Sequence, residues 1–258
     1  MKSLYQNKQF AEFWNKRAGN SGEAYKYYVL DPIMFKLVKS FTDKTVLELG
    51  CGNGYLSQKF IENKVKNLIL MDISKHNLEY AKQKFKDNKI EYLEQDATTK
   101  WKVDTNSIDI IYSNMMLNEI KDIKTPILEA FRVLKNNGIF VFSVTHPSWD
   151  LYIYAQEKAG VKSRKIKNLG NYFKRGFAKY IMGGDSKTNP DLAKEYNKEF
   201  EVEHFQRPLS DYFNTLIDSG FHVNKIVEPE LTKELLKNNP RFIEYKDHPV
   251  WLIFYCSK

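Results

Sequence analysis

Residues 46–54 read Val46-Leu47-Glu48-Leu49-Gly50-Cys51-Gly52-Asn53-Gly54, a short apolar run holding an acid and followed by three glycines at alternate positions. A glycine has no Cβ, so such a turn can take left-handed dihedrals and lets a ligand come close to the main chain. A strand that feeds a glycine-rich turn into a helix is how parallel sheets hold nucleotide-like ligands at their carboxyl ends. Two ligand types compete for this reading. A pyrophosphate site uses Gly-x-Gly-x-x-Gly ahead of helix N-terminal amides. Here the spacing is Gly-x-Gly-x-Gly, and Glu48 stands two residues ahead of it. That acid is badly placed for an anion and well placed for an ammonium group.

The surrounding sequence repeats the strand-and-helix rhythm. Apolar runs at 45–49, 67–72, 90–93, 108–113 and 139–144 predict five buried strands. Between them, 55–63, 74–87 and 126–134 carry helical spacing, with Ser74 as a hydrogen-bonding cap. Asp31-Pro32 marks another helix start, because proline in a first helical turn sacrifices no needed donor. Residues 147–205 are aromatic, basic and aperiodic. Order then returns as a helix at 209–219 closed by Gly220, and strands at 223–227 and 250–255. The fold class is α/β: a Rossmann-like, seven-stranded, mostly parallel sheet with helices on both faces and an inserted lid. Four segments are expected: an aromatic N-terminal lid at 1–43, a ligand-binding core at 44–146, an insertion at 147–205 packed over the sheet edge as a substrate lid, and a closing helix and strands at 206–258.

Composition sets outer bounds. The 258 residues, 42% hydrophobic and 28% charged, suit one large globular domain with an insertion. The first residues do not resemble a secretory leader, so none is expected, and no run approaches the roughly 18 apolar residues of a membrane span. Cys51 and Cys256 are too few for a disulfide framework or a zinc site. No pair of histidines or carboxylates has metal-ligand spacing, so the expectation is a cytoplasmic protein without a metal. The net charge of +8 is local. Lys158, Lys162, Arg164, Lys165, Lys167, Lys174, Arg175 and Lys179 fall in one acid-free segment, leaving the remainder near neutral.

With its glycine loop, the sequence resembles the class I S-adenosylmethionine-dependent methyltransferases, the broad small-molecule group that includes the quinone-biosynthesis type. Four further segments match in order. Leu70-Met71-Asp72-Ile73-Ser74 is similar to the family's second-strand end, whose acid holds both ribose hydroxyls. Gln95-Asp96-Ala97 is similar to the segment that receives the adenine. Tyr112-Ser113-Asn114-Met115-Met116-Leu117-Asn118-Glu119 is similar to the fourth-strand end beneath the methionine moiety. Phe131-Arg132-Val133-Leu134-Lys135-Asn136-Asn137-Gly138 is similar to the turn into the fifth strand, with Asn136-Asn137 in place of Pro-Gly. The resemblance is strong over 44–146 and weaker over 209–255.

It implies an enzyme of the EC 2.1.1 type that transfers the sulfonium methyl of S-adenosyl-L-methionine by SN2 and releases S-adenosyl-L-homocysteine. The cofactor residues it implies are Glu48, Gly50, Cys51, Gly52, Gly54, Asp72, Ile73, Ser74, Asp96, Ala97 and Asn114. Asn118 stands where many relatives carry histidine. His146, directly after the fifth strand, and His204, two residues before the slot of a His-Arg-x-Leu segment in relatives, are candidates for a base. Trp14, Tyr28, Asn118 and Arg207 are candidates for contact with the substrate, an anionic or aromatic small molecule. Two rivals stand beside this reading. One is an RNA methyltransferase, in which residues 158–179 with Tyr172, Phe173 and Phe177 would hold phosphates and stack on bases. The fourth-strand end Ser113-Asn114-Met115-Met116 lacks the Pro-Pro pair used on base amines, which weighs against nucleic acid. The other is a non-catalytic cofactor-binding module, against which the long insertion argues.

Overall fold

The computed structural model describes residues 3–149, 151–153, 172–182 and 200–258. In chain order its helices are α1 (Lys8–Ala18), α2 (Asp31–Val38), α3 (Ser57–Glu62), α4 (Lys75–Lys84), α5 (Lys124–Val133), α6 (Leu209–Asp218) and α7 (Lys233–Asn238). The strands are β1 (Thr45–Leu49), β2 (Asn67–Asp72), β3 (Ile90–Glu94), β4 (Ile108–Asn114), β5 (Leu134–Thr145), β6 (Gly176–Met182), β7 (Phe200–Gln206), β8 (His222–Val227) and β9 (Trp251–Ser257). Seven strands form one sheet in the order β3-β2-β1-β4-β5-β9-β8. β1 to β5 run parallel, and β9 lies antiparallel between β5 and β8. No described helix is long and apolar enough to cross a membrane.

Alternation along each strand divides the core. Val46, Leu68, Leu70, Ile110, Tyr112 and Val141 face one side, where they meet Met34 and Val38 of α2, Phe60 of α3 and Ala81 of α4. Leu47, Leu49, Met71, Ile111, Phe140 and Phe142 face the other and pack on Ile127 and Ala130 of α5 and Tyr212 and Leu216 of α6. Glu48 falls in the register of the first face, paired with Tyr112 across the β1–β4 ladder. An acid is thereby built into an otherwise apolar layer.

The glycine loop leaves β1 at its carboxyl end, and order reverses there between β1 and β4, which makes a crevice for a ligand. Above it lie α1, with Asn7 accepting from the Phe10 N–H as its cap, and the insertion. β6 and β7 pair antiparallel as a separate two-stranded sheet. Phe200 and Val202 of β7 pack against Phe10 and Phe13 of α1. β7 also meets the single turn Leu117–Glu119 that follows β4. The described strand β7 of the insertion therefore lies over the middle of the sheet, against α1 and the turn after β4, and not over edge strands β3 or β8 as expected. Its docking surface is the aromatic face of α1, which the edge strands do not have. Between β8 and β9 the chain forms α7 and a turn at Pro240–Tyr245, which accounts for a connection longer than a hairpin. The turn into β5 survives without Pro-Gly because Asn137 takes the left-handed conformation at φ 63°.

Candidate active site

Gly50, Gly52 and Gly54 all have positive φ, but their surroundings differ. A Cβ on Gly50 would lie 2.4 Å from Cγ of Met116, and one on Gly54 would lie 2.9 Å from Cβ of Ala81. A Cβ on Gly52 would meet nothing nearer than the Trp14 indole nitrogen at 3.8 Å. The outer two glycines are required by packing. The middle one leaves a space under Trp14 that a side chain would fill. Gly54→Ala is thus expected to cost about 2–5 kcal/mol, strain plus overpacking, and Gly52→Ala only the strain of about 1–2 kcal/mol. Denaturant unfolding of the two variants tests this, and equal losses would contradict it.

Two side chains fix the loop. Asp72, at the end of β2, accepts from the Gly52 N–H through Oδ2 and from the Ser74 N–H through Oδ1, both at 2.8 Å. Ser74 then caps α4 by accepting from the Asn77 N–H. Asn53 Nδ2 donates to Asn15 Oδ1 and to the Gly19 carbonyl, each at 3.0 Å, and Lys84 Nζ donates to the same two acceptors. The C-terminal end of α1 is therefore tied both to the glycine loop and to α4.

Beside the loop lies a buried acidic cluster. A π-helical turn, Lys26–Leu30, runs directly into α2. Its i to i+5 bonding brings Lys26 and Asp31 to adjacent turns of one face. Asp31 Oδ1 accepts from Asn114 Nδ2 at 2.6 Å, the Tyr112 hydroxyl at 3.1 Å and the Tyr55 hydroxyl at 3.2 Å. Burial outweighs these bonds and the nearby Lys26 and Lys59, and pushes the Asp31 carboxyl up to about 6. Glu48 is 3% exposed and its Oε2 has no partner among the described residues. Burial, reinforced by the neighbouring Asp31 charge, pushes its carboxyl well above the usual range. The charge of Lys26 acts on all three acids, Asp31, Glu48 and Asp72. The Lys26 Nζ stands 5.7 Å from the Trp14 ring and 5.8 Å from that of Tyr55. Asp31, Glu48 and Asp72 thus outnumber the two nearby lysines, Lys26 and Lys59. A buried carboxylate without a partner is costly, and a bound cation relieves that cost.

A third group sits past the carboxyl end of β4. Met115 takes φ 62°, an uncommon conformation for a non-glycine residue and one that concentrates at functional sites. Its N–H donates to Ser143 of β5, and the turn Leu117–Glu119 follows. Within that turn Asn118 Nδ2 donates to Glu119 Oε1 at 2.7 Å. The sequence reading included Glu119 only as part of a matched segment. The available signal was a second polar residue inside Met-Met-Leu-x-x-Ile.

The expected site residues divide accordingly. Glu48, Gly50, Cys51, Gly52, Gly54, Asp72, Ile73, Ser74 and Trp14 gather at the loop. The Cys51 thiol, buried and beside Asp72 and Glu48, is pushed well up and stays protonated. Asn114 lies below them, engaged by Asp31, Tyr55 and Ser143. Asp96 and Ala97 follow β3, with Asp96 Oδ1 accepting from Thr98 and the Ala97 carbonyl accepting from the Trp101 indole. Asn118 is at the β4 turn, and His204 on β7 lies close enough for its charge to act on Glu119.

Three expectations give way to geometry. Tyr28 packs with Tyr27 and the main core, and its carbonyl accepts from Thr232 at the start of α7, away from the loop. Arg207, 3% exposed, spends its guanidinium on the carbonyls of Leu117, Ile120 and Lys121 and on the Tyr212 hydroxyl. It holds the β4 turn instead of reaching a substrate. His146 accepts at Nδ1 from the Ser148 N–H at 3.1 Å, and its Nε2 pairs with Glu228 at 2.9 Å. This network fits the tautomer with hydrogen on Nε2, which leaves no nitrogen free to act as a base. His146→Gln should lower stability by about 1–3 kcal/mol and leave ligand affinity unchanged. Thermal unfolding and a ligand titration of the same variant check both halves.

Of the basic segment, Lys158, Lys162, Arg164, Lys165 and Lys167 lie outside the described residues. Arg175 makes a two-pronged pair with Asp211 at 2.6 Å, and Lys179 pairs with Glu201 and Glu203.

Comparison with known proteins agrees with this geometry. Residues 47–142 match the family described as "Methyltransferase domain". An uncharacterized protein of Haemophilus influenzae is 23% identical over 95% of this chain and 91% of its own length. The ubiquinone biosynthesis O-methyltransferase of Pelagibacter ubique is 29% identical over 43% of this chain and 45% of its own, so the chain spans about half of that relative. The solved S-adenosylmethionine-dependent methyltransferase of Mesorhizobium loti superposes with a TM-score of 0.70 at 21% identity, covering 93% of this chain and all of that one. Strand order, the glycine loop pinned by Asp72 and the match over residues 47–142 together give the chain a methyltransferase domain on the fold of the solved S-adenosylmethionine-dependent methyltransferases.

Proposed function

We propose that the enzyme methylates a small molecule enclosed between the glycine loop, α1 and β7. One observation carries this reading: the site is roofed by aromatic side chains. Tyr5, Phe10 and Trp14 from the N-terminal segment pack edge-on or stacked, and Phe200 of β7 meets Phe10 at 5.2 Å. A roof so close over the loop suits a small acceptor better than a polymer. The charges of Arg175 and Lys179, already met by acids, also favour a small acceptor over RNA.

When bound, S-adenosylmethionine supplies an electrophilic methyl group. The chain's own residues have the tasks of holding, aligning and excluding water. Glu48 offers Oε2 to the ammonium group, with the space over Gly52 left open for the ligand. Asp72, fixed through Gly52 and Ser74, keeps outward lone pairs for the ribose hydroxyls. Asp96 and Ala97 stand at the adenine end. Trp14 and the roof keep water out, which strengthens every charge interaction beneath them.

Calorimetric titration with S-adenosylhomocysteine, with NADH as control, is the first test. Glu48→Gln should weaken binding roughly 10- to 100-fold, the scale of one charge-assisted hydrogen bond, and Gly52→Ala should weaken it without unfolding the protein. Unchanged affinity in both would remove the cofactor assignments. Label from methyl-labelled cofactor should then enter the low-mass fraction of a metabolite extract. Label entering only RNA would decide for the rival acceptor.

A further inference from the structure

The β4 turn carries two neighbouring acceptor atoms without a partner among the described residues. Asn118 is 2% exposed, and its Oδ1 has no hydrogen-bond partner among the described residues. Glu119 is half-buried as a residue, yet its Oε2 is shut from solvent and equally unpartnered. Their other atoms are joined by the Asn118 Nδ2 to Glu119 Oε1 bond, which fixes the two free oxygens relative to each other. Buried acceptors are rarely left open, and a pair left open side by side indicates a ligand that brings hydrogen-bond donors.

Four groups face this carboxylate, each from a different direction. His204 acts from β7 and Lys26 from the π-helical turn by their charges, while Tyr5 of the N-terminal turn and Asn118 of its own turn hydrogen-bond to the carboxylate. Lys26 also acts on Asp31, Glu48 and Asp72, so the charge of one lysine reaches both Glu119 and the cofactor acids. Arg207 does not face the carboxylate. It grips the main chain on both sides, at Leu117 and at Ile120 and Lys121, and so fixes where Glu119 points.

Resting on the small-molecule reading above, we propose that Glu119 is the general base for methyl transfer and that the acceptor is a hydroxyl- or amine-bearing molecule, with Asn118 Oδ1 taking a second of its hydrogens. The acceptor's lone pair forms the new bond to the methyl carbon as the carbon–sulfur bond breaks and its electron pair goes to sulfur. The acceptor's proton passes to Glu119 Oε2, which becomes a carboxylic acid. Charge balances, because the cationic sulfonium becomes a neutral thioether while the carboxylate is neutralised. An anionic acceptor group would meet two lone-pair donors and bring no hydrogen to either.

Burial outweighs its neighbours' pull and pushes the Glu119 carboxyl up to about 7. A base is most effective with a pKa near the working pH. The deprotonated form prevails above that value, so transfer should rise with pH through neutrality. His204, read from sequence as a base, acts here as the group that lowers Glu119's proton affinity.

Glu119→Gln keeps the shape and the Asn118 contact while removing the proton acceptor. Wild type and variant are compared in three measurements. In the first, both should bind S-adenosylhomocysteine with affinities within about threefold, which verifies folding. In the second, label from methyl-labelled S-adenosylmethionine is followed into a deproteinised metabolite extract below pH 9. Wild type should form ethers or methylamines, and the variant should be slower by about 100-fold or more. In the third, carboxyl carbon-13 NMR of glutamate-labelled protein should show a group titrating near neutrality in wild type and absent from the variant. Equal labelling by the variant would overturn the inference and leave the small-molecule reading standing. No low-mass product from wild type would overturn that reading and this inference with it. Products confined to base-labile methyl esters would overturn the acceptor class.

Discussion

Arg207→Met is expected to destabilise the protein by about 3–5 kcal/mol, the scale for breaking a buried charged network, and to lower Tm by on the order of 10 °C. Three carbonyls of the β4 turn and the Tyr212 hydroxyl share this one guanidinium. Its flat face also rests on Phe205 at 4.6 Å and Tyr212 at 5.1 Å. Methionine fills most of the volume but donates nothing, so several buried acceptors are stranded at once. Lysine retains the charge and can still reach one or two of the carbonyls, so Arg207→Lys should recover part of the loss. Both variants should bind S-adenosylhomocysteine, because the glycine loop is fixed by Asp72 and not by this turn, while methyl transfer should fail in the methionine variant. Guanidinium unfolding together with calorimetry tests the set. A loss below about 1 kcal/mol would show that the turn stands without its arginine.

The ligand-free protein should gain several kcal/mol of stability as pH is lowered from 8 to about 5. Asp31 and Glu119 have carboxyls raised to about 6 and about 7 in the folded state. The folded chain therefore holds more protons than the unfolded chain between pH 4 and 7. Stability is then highest where both states are protonated and falls as pH rises through the folded values. Each shift corresponds to about 3 kcal/mol. Opposing it, Glu23, Asp109, Asp122 and Glu129 are held below their usual range, and their contributions are lost as pH falls through those lowered values. The optimum should lie near pH 5, with steep losses below about pH 4. Denaturant midpoints across pH 3–8 check the curve, and Glu119→Gln should flatten it between 6 and 8. A steady rise in stability from pH 5 to pH 8 would contradict the assignment. Saturating S-adenosylhomocysteine should oppose the trend, because its ammonium group favours ionised Glu48.

The parts of this architecture set by local chemistry were readable in advance. β1 and β2 occupy the residues expected, because short apolar runs buried on both faces admit little else. Ser74 caps α4 as its side chain requires. What the chain concealed depends on tertiary placement. Asp31 reads as an ordinary helix start until Tyr55, Tyr112 and Asn114 converge on it. His146 and Arg207 resemble reactive groups because nothing local tells that Glu228, or a set of distant carbonyls, will claim them. β7 was not expected although Phe200-Glu201-Val202-Glu203 alternates apolar and polar residues, because His204 and Phe205 break the alternation. The basic run before it drew the attention, and Lys179 in fact pairs with the two glutamates on that strand.

The insertion is fastened at both of its ends. His146 is held by Glu228 and by its own N–H to the Val250 carbonyl, and Arg207 is held by the β4 turn. With both moorings kept, a change of chain length between them is expected to leave the register of β5 with β9 undisturbed. For protein engineering, an exchange of residues 147–205 between relatives, with His146 and Arg207 retained as splice points, is expected to leave the seven-stranded sheet intact.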